Sequence, residues 1–357
     1  MRTAVLGATG LVGRVMVRLL EDRAWADEPP RLLASARSAG ARLPFRGRSL
    51  VCEDAAGAEL GGIEIALFSA GRAASRLYAP RFAAAGAWVV DNSSAFRMDP
   101  GVPLVVPEVN PTLVPRLDRV GSGSRPSGGI IANPNCSTIQ VAHALAPLES
   151  AYRLREVQVT TMQAVSGAGR RAVEALTAEL PLRAGDGDRL LAGNPVVGGA
   201  GEGGAVFPRA IAGNVIPEIG PPLPDGSFEE EAKVVRELRK ILDRPELPVC
   251  CTATRVPVWN GHSAAVRVVL GRPVTPAEAA ARIAAWPGLV VAAGPDGYAT
   301  AAEVSGDGRT HVGRLRQDPG RDDALLMWVV ADNLLKGAAL NAVQIADLLV
   351  GAGSPAA

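Results

Sequence analysis

The stretch TAVLGATGLVG, residues 3–13, decides the fold class of this chain. Residues 3–6 form an apolar run typical of a strand, glycines follow at positions 7, 10 and 13, and helical periodicity extends over residues 9–22. Glycines at a strand-to-helix turn let the backbone approach a pyrophosphate, which N–H groups at the helix start can bind. The spacing is GxxGxxG rather than GxGxxG, so a merely tight turn is the alternative, but the preceding strand favours a dinucleotide site.

The first 135 residues alternate short apolar runs with helical stretches, which is typical of a parallel sheet with crossover helices. A second helix is expected at residues 72–85, and strands are expected at 3–6, 31–34, 63–69, 88–91, 104–106 and 130–132. The rest of the chain predicts longer strands at 155–161, 249–258, 263–270 and 324–330, with helices at 170–180, 229–242 and 276–285.

These patterns predict an α/β protein with two domains. A Rossmann-like dinucleotide-binding domain is expected to comprise residues 1–133 plus 332–357, because residues 332–350 form an alanine- and leucine-rich helix that can return to it. Residues 134–331 are expected to form an α+β substrate domain. The glycine-rich stretch 185–204 has no period and predicts an exposed loop or an oligomer contact.

Composition excludes several classes of function. The chain has 357 residues, 48% hydrophobic and 20% charged, which is enough for a large core, and its net charge of +1 argues against nucleic acid and anionic membranes as partners. No apolar run approaches a membrane span and no targeting segment precedes the first strand, so the cytoplasm is expected. Neither zinc nor disulfide spacing connects the cysteines and histidines, which are Cys52, Cys136, Cys250, Cys251, His143, His262 and His311.

The end of the second predicted strand indicates which dinucleotide binds. An acidic residue there would bind a ribose 2′-hydroxyl, but this chain has Ser35, Arg37 and Ser38. A guanidinium and two hydroxyls suit a 2′-phosphate, so NADP is expected rather than NAD. The alternative is that Arg37 is a solvated loop charge.

A single cysteine, Cys136, follows the turn Asn133-Pro134-Asn135 and begins a helix marked by Ser137 and Thr138. Helix N-terminal N–H groups stabilise an anion, so they are expected to lower the pKa of this thiol below about 8.5, toward the range of reactive cysteines. A buried structural cysteine is the alternative.

Two further polar residues stand at strand ends beside glycines. His262 lies in a Trp259-Asn260-Gly261-His262 turn between two apolar strands, where an imidazole can serve as acid or base, although a lone histidine is more often structural. Gln163 ends a strand before a glycine-rich turn, and its neutral amide can orient an acyl group or an oxyanion.

The chain resembles the aspartate-β-semialdehyde dehydrogenases over nearly its whole length. Nine motifs in order carry the resemblance: GATGLVG (7–13), ASARSAG (34–40), DNSSAFR (91–97), NPNCSTIQ (133–140), QAVSGAG (163–169), EEAK (230–233), TRVPVWNGH (254–262), VGRLRQD (312–318) and DNLLKGAALNAVQIA (332–346). Related acyl-phosphate reductases fit less well, because N-acetyl-glutamyl-phosphate reductases and glyceraldehyde-3-phosphate dehydrogenases have different residues around the cysteine.

The resemblance implies an activity and a set of roles. It implies NADP-dependent interconversion of 4-phospho-L-aspartate with L-aspartate 4-semialdehyde and inorganic phosphate through a cysteine thioester, in the biosynthesis of lysine, threonine and methionine. It implies a homodimer or homotetramer, with residues 134–331 as the catalytic and dimerisation domain. The implied catalytic residues are Cys136 as nucleophile, His262 as acid/base and Gln163 as orienting amide.

The resemblance also implies binding residues. Arg97, Asn135 and Lys233 would hold the phosphate, Arg255 the substrate α-carboxylate and Glu230 its α-ammonium. An ordinary solvated helix pair is the alternative for Glu230 and Lys233, and the register among residues 229–231 stays open. The implied cofactor residues are Gly7, Thr9, Gly10, Leu11, Val12, Ser35, Arg37, Ser38, Ala70, Gly71, Ser166, Gly167 and Gln344.

The chain departs from the family at three positions. Gly213 stands where an aromatic residue is usual, Gly220 where an aspartate is usual and Leu238 where a threonine is usual. Because these positions flank the region expected at the amino end of the substrate, a paralogue that acts on a related C4 acyl phosphate is one alternative. A Cys/His hydrolase and a catalytically silent nucleotide-binding regulator are two others.

Overall fold

Seven strands form the first sheet of the computed structural model, which describes residues 1–117, 128–193, 206–294 and 296–352. Their spatial order is β3-β4-β2-β1-β5-β6-β7, and every neighbouring pair is parallel except β3 and β4. The strands are β1 (Thr3–Leu6), β2 (Arg31–Ala34), β3 (Arg42–Phe45), β4 (Arg48–Asp54), β5 (Ile65–Phe68), β6 (Trp88–Asp91) and β7 (Gly129–Ala132). The predicted dinucleotide-binding α/β fold class is confirmed.

Helix α1 (Leu11–Glu21) crosses from β1 to β2, whereas β5 lies on the other side of β1. This reversal of strand order opens a crevice at the carboxyl ends of the strands, where ligands bind in such sheets. Gly7 turns the chain there with φ of 84°, and a Cβ on it would stand 2.4 Å from the carbonyl oxygen of Ser69. A Cβ on Gly13 would stand 2.2 Å from the carbonyl oxygen of Gly7, so α1 can pack this closely only with glycine at both positions.

A mixed six-stranded sheet forms most of the second half of the chain, in the order β11-β12-β13-β10-β8-β9. Its strands are β8 (Leu154–Gln163), β9 (Val249–Arg255), β10 (His262–Leu270), β11 (Leu289–Val291), β12 (Thr310–Asp318) and β13 (Arg321–Ala331). Helix α3 (Cys136–Tyr152) packs its apolar side chains against this sheet, so the predicted nucleophile stands where the two sheets meet.

The remaining helices are α2 (Arg72–Ala84), α4 (Arg170–Glu179), α5 (Asp186–Leu191), α6 (Glu229–Ile241), α7 (Pro276–Ala284) and α8 (Leu340–Leu349). Helix α8 buries its apolar residues in the core of the first sheet beside α1, and the division of the chain near residues 133 and 332 stays a prediction. In the described residues, no helix is both long and apolar enough to cross a membrane.

Several sequence predictions need correction. The hairpin of β3 and β4 was missed, because Pro44 argues against a strand and is tolerated only at a sheet edge, where β3 lies. Strands β11 and β12 were also missed, because β11 has only 3 residues and the alternation of β12 changes phase at a bulge between Gly313 and Arg316. Residues 104–106 form only an isolated bridge at Leu104. Residues 335–339 form a π-helical turn before α8 instead of one continuous helix.

The predicted loop at 185–204 is wrong for its first part, where α5 forms. Residues 194–204 of that prediction lie outside the described residues.

Candidate active site

Cys136 is the first residue of α3, and its position is set by the turn that follows β7. The backbone N–H of Asn133 donates to the carbonyl of Asp91, the end of β6, at 2.8 Å. Pro134 and an extended Asn135, with φ of −66°, then lead into the helix. The thiol lies 3.9 Å from the side-chain oxygen of Asn135. The predicted placement of this cysteine at a helix N-terminus is therefore confirmed.

An ion pair holds the turn on both sides of the proline. Arg97 donates through Nε to the carbonyl of Asn133 at 3.0 Å and through Nη1 to Glu237 at 3.0 Å. The other carboxylate oxygen of Glu237 accepts the backbone N–H of Asn135 at 2.7 Å. Both charged side chains are buried. Together they fix the main chain immediately before Cys136.

A second buried carboxylate, Glu230, faces the same turn. Its Oε1 accepts from Asn135 Nδ2 at 2.7 Å and from Gln163 Nε2 at 3.0 Å, while Lys233 Nζ lies 3.7 Å from Oε2. Glu229 pairs with Lys233 and Glu231 caps α6, so Glu230 is the one of the three glutamates whose carboxylate faces this turn; its role toward a substrate stays a prediction. Burial alone would raise the pKa of Glu230, but Lys233 and the two amide donors hold it below its usual value. This carboxylate is charged.

The expectation of a lowered thiol pKa is wrong for the protein without ligands. Burial and the nearby Glu230 carboxylate raise the pKa of Cys136 to about 12, and the guanidinium groups of Arg255 and Arg97 only partly oppose them. The helix N-terminus contributes less than these two effects. Cys136 therefore rests as a thiol.

His262 begins β10, next to the end of the antiparallel strand β8. Gly261 before it has φ of 88°, and a Cβ there would stand 2.5 Å from the carbonyl oxygen of Ala301. The backbone N–H of Ala164 donates to His262 Nδ1 at 3.0 Å, so the proton of the neutral ring is on Nε2. Burial and Arg255 lower the pKa of His262 well below its usual value. The ring is thus neutral, and its Nε2–H is a hydrogen-bond donor.

The donor atom of this ring faces a glycine turn. Nε2 of His262 has no hydrogen-bond partner within the described residues, although it is buried. A Cβ on Gly167 would stand 3.0 Å from that nitrogen and 3.2 Å from Nη1 of Arg255. Arg255 also donates to the carbonyl of Ala164 at 2.7 Å. Hence Gly167, His262 and Arg255 converge at one point.

A cavity of about 290 Å³ lies against Cys136 and Gly167, whereas His262, Arg255, Gln163 and Glu230 are not among the described residues that line it. Among the predicted site residues, its lining includes Val12, Gly71, Arg97, Asn135, Cys136, Ser166, Gly167 and Lys233. Cys136 therefore shares one space with Val12 in the first turn of α1 and with Gly71 after β5.

The chain matches two family models over most of its length. The model described as "Semialdehyde dehydrogenase, NAD binding domain" matches residues 2–115, and "Semialdehyde dehydrogenase, dimerisation domain" matches residues 145–336. Aspartate-semialdehyde dehydrogenase of Aquifex aeolicus is 42% identical over 99% of this chain and 98% of its own, and that of Bacillus subtilis is 40% identical over 98% and 97%. The crystal structure of aspartate semialdehyde dehydrogenase II complexed with ASA from Vibrio cholerae has 38% identity and a TM-score of 0.86, with 98% of both chains covered.

This chain belongs to the aspartate-semialdehyde dehydrogenase family. The predicted resemblance is confirmed, and with it the assignment to the oxidoreductases. The first-sheet region corresponds to the nucleotide-binding part of the family and the second-sheet region to the dimerisation part.

The nucleotide region has room for the dinucleotide that a semialdehyde dehydrogenase requires. Gly10 precedes α1 in an extended conformation, so the first N–H groups of that helix face the crevice at the carboxyl end of β1. Gly71, with φ of 81°, has nothing within 4 Å of its missing Cβ. Ser35, Arg37 and Ser38 follow the carboxyl end of β2, on the same side of the sheet as the turn after β1. The side chain of Arg37 is exposed.

One predicted cofactor-binding residue, Gln344, is buried inside the protein. Gln344 is buried in α8, and both ends of its amide are engaged, by Lys336 at 2.8 Å and by Glu108 at 3.0 Å. Its contact with a cofactor stays a prediction, as do those of Thr9, Leu11 and Ala70.

The three departures from the aspartate-semialdehyde dehydrogenase pattern lie at different depths. Leu238 is buried in the main core, away from the cavity lining. Gly213 and Gly220 have positive φ, and a Cβ on Gly220 would stand 3.2 Å from Cβ of Glu229. Between them, Ile216 exchanges two backbone hydrogen bonds with Arg255. The altered segment therefore abuts the arginine of the site.

Sequence reasoning missed two residues of the site. Glu237 lies on the same face of α6 as Glu230, seven residues further on, and that spacing is the one signal that could have found it. Asn333 accepts the backbone N–H of Gly261 at 2.8 Å and lines the cavity. It lies in the last recognised motif, but no pattern tied it to the histidine turn.

Proposed function

We propose that the protein catalyses the reversible reductive dephosphorylation of 4-phospho-L-aspartate to L-aspartate 4-semialdehyde with NADPH, through a thioester on Cys136. The observation that supports it most is the shared cavity, in which Cys136 lies beside the nucleotide turns at Val12 and Gly71 and close to the group formed by Gly167 and His262. A hydrolase would have no use for the nucleotide turns, and a silent regulator none for the thiol.

The nucleotide turns would hold the pyrophosphate, and Arg37 with Ser35 and Ser38 would hold a 2′-phosphate. When bound, the cofactor supplies the hydride in one direction and accepts it in the other. The protein's part is to place the carbon bound to Cys136 within reach of the nicotinamide and to exclude water.

Cys136 attacks the acyl carbon as the thiolate, the C–O bond to phosphate breaks, and inorganic phosphate leaves, taking up the proton that the thiol has released. Hydride addition to the thioester carbon would give a tetrahedral alkoxide, whose C–S bond then breaks to release the aldehyde and regenerate the thiolate. We propose that Nε2–H of His262 donates to the oxygen on this carbon, because its tautomer and its pKa make it a hydrogen-bond donor. Gln163 would orient the same acyl group.

Substrate binding can lower the raised pKa of the Cys136 thiol. The α-ammonium of the substrate would pair with Glu230 and so neutralise the charge that most opposes ionisation of Cys136 after burial itself. Arg255 would take the α-carboxylate in a bidentate manner, while Arg97, Asn135 and Lys233 would hold the phosphate. The thiolate would therefore form when the correct substrate is present.

An assay with purified protein tests the proposal directly. NADPH formation would be followed at 340 nm with NADP, phosphate and either L-aspartate 4-semialdehyde or the C4 semialdehyde without the amino group. We expect phosphate-dependent turnover with the aspartate compound and a lower kcat/KM for the analogue. A preference for the analogue would favour the paralogue that Gly213 and Gly220 suggest, and turnover without any nucleotide would favour a hydrolase.

We also propose that the open face of the second sheet binds a second copy of the chain. Exposed residues Gln158, Thr160 and Ala265 lie there next to the half-buried Trp328, and a shallow depression of about 520 Å³ covers this face. It falls within the region that matches the dimerisation model. Light scattering should give twice the chain mass or a multiple of it, and Ala265→Arg should give monomers.

A further inference from the structure

A buried polar network lies behind the cavity and is centred on Lys336, which is 1% exposed. Its Nζ donates to Glu108 Oε2 at 2.6 Å, Asn341 Oδ1 at 3.0 Å and Gln344 Oε1 at 2.8 Å. Three acceptors satisfy all three ammonium protons. Gln344 Nε2 donates in turn to the second oxygen of Glu108 at 3.0 Å, which closes a ring. A network in which every member is satisfied holds its parts rigidly.

The network continues to the turn that carries the nucleophile. Asn341 Nδ2 donates to Asn133 Oδ1 at 2.6 Å and to the carbonyl of Val105 at 3.0 Å. Asn133 Nδ2 donates to Asn92 Oδ1 at 2.7 Å and to the carbonyl of Ala338 at 3.3 Å. An unbroken series of hydrogen bonds thus joins Lys336 to the residue three positions before the cysteine.

Lys336 itself belongs to the π-helical turn Leu335–Ala339, which packs on that cysteine. A Cβ on Gly337 would stand 3.2 Å from Cβ and 3.3 Å from the carbonyl oxygen of Cys136, and Gly337 and Ala338 line the cavity. π-Helical turns are rare and are found frequently at functional sites. Here the turn packs against the Cβ and the backbone of Cys136.

We propose that Lys336 is a positioning residue that, through Glu108 and Asn341, holds this π-helical turn against Cys136 and so fixes the place of the thiol. An ion pair at this depth is a poor source of stability, since its desolvation cancels much of the attraction and apolar residues could fill the space. Its contribution is geometric: it orders a wide turn that ordinary α-helical hydrogen bonds would not hold in place.

The test uses a double variant, because Lys336→Met alone would leave Glu108 charged and unpaired and could unfold the protein. Lys336→Met/Glu108→Gln removes both charges and supplies an amide N–H for Gln344. The matched control is Arg321→Met/Asp323→Asn, which removes the charges of an exposed pair with an N to O distance of 2.8 Å. Unfolding midpoint, kcat and KM would be measured for each.

The second measurement is the alkylation of Cys136, followed on its tryptic peptide by mass spectrometry. The ratio of the rate with a bulky N-arylmaleimide to the rate with iodoacetamide reports how tightly the π-helical turn covers the thiol. In the Lys336 double variant we expect this ratio to rise at least about threefold and kcat to fall about tenfold to a hundredfold, the size of loss that small displacements cause. KM should stay within about threefold of the wild-type value. The control should match wild type in its unfolding midpoint, kcat, KM and alkylation ratio.

The expected change in kcat rests on the proposed function, but the expected change in the alkylation ratio does not. If the wild-type protein had no dehydrogenase activity, the proposed function would be refuted, and the alkylation ratio could still be measured. A double variant that folds with the alkylation ratio of wild type would overturn the positioning role, whatever its kcat.

Discussion

Glu230→Gln should make Cys136 react faster with a simple alkylating reagent while it lowers the dehydrogenase activity of the protein. The substitution removes one buried negative charge and keeps an oxygen that can accept from Asn135 and Gln163. Glu230 is the largest cause, after burial, of the raised thiol pKa of about 12. Its removal must therefore lower that pKa.

The size of the effect follows from two opposing factors. A neighbouring charge moves a pKa by about one to three pH units, so at pH 8 the thiolate fraction rises about tenfold to a thousandfold. A less basic thiolate is also less nucleophilic, with a Brønsted slope of about 0.4–0.5, which removes roughly half of that gain on a logarithmic scale. The net expectation is that alkylation of Cys136 becomes about three- to thirtyfold faster.

Iodoacetamide labelling of the Cys136 peptide between pH 7 and pH 10 measures this. The rate should rise with pH in both proteins, and the rise should begin at lower pH in Glu230→Gln. Glu229→Gln is the matched control, because it removes the same charge one residue away, where the side chain faces Lys233 3.5 Å away at the surface. Equal rates in Glu230→Gln and wild type, or equal acceleration in the control, would refute the electrostatic account.

Four further outcomes are expected. Cys136→Ala should lose at least about a thousandfold in kcat yet still bind NADPH, and retention of a tenth of the rate would exclude covalent catalysis. Arg37→Ala should weaken NADP binding by about 1–3 kcal/mol in calorimetry and leave NAD binding nearly unchanged; equal losses would count against a 2′-phosphate contact. Glu237→Ala should lower the free energy of unfolding by about 3–5 kcal/mol in urea, because it leaves Arg97 charged and buried, and Arg97→Met/Glu237→Met should recover most of that loss. Glu230→Gln should lower kcat/KM with aspartate semialdehyde but little with the analogue without the amino group; equal losses would separate this residue from the ammonium.

Local patterns were enough for most of the fold. The glycine turn at residues 7–13 predicted the strand, the helix and the sheet edge where the cavity lies, because those features depend on neighbours in sequence. Strand β3 and the π-helical turn were not predictable in this way. A proline at a sheet edge and a buried lysine whose carboxylate partner lies 228 residues away along the chain are exceptions that only the assembled structure explains.

The sequence predicted which residues form the candidate site, but not their pKa values or the tautomer of the histidine. The position of Cys136 at a helix start could be inferred from six residues of sequence, whereas its pKa depends on Glu230, which lies on another helix and reaches it only through folding. The tautomer of His262 likewise depends on a backbone N–H that is 98 residues away along the chain. Pairings of this kind have no signature in a single sequence.

The packing of α8 against the first sheet has a consequence for folding during synthesis on the ribosome. The apolar core of the first sheet contains residues of α8, yet 207 residues, 133–339, lie between the end of β7 at Ala132 and the start of α8 at Leu340. At about 5–20 residues per second, a ribosome needs roughly 10–40 s to make that stretch. Throughout that interval the nascent first sheet lacks its final covering helix, and its apolar surface is open to chaperones or to neighbouring chains.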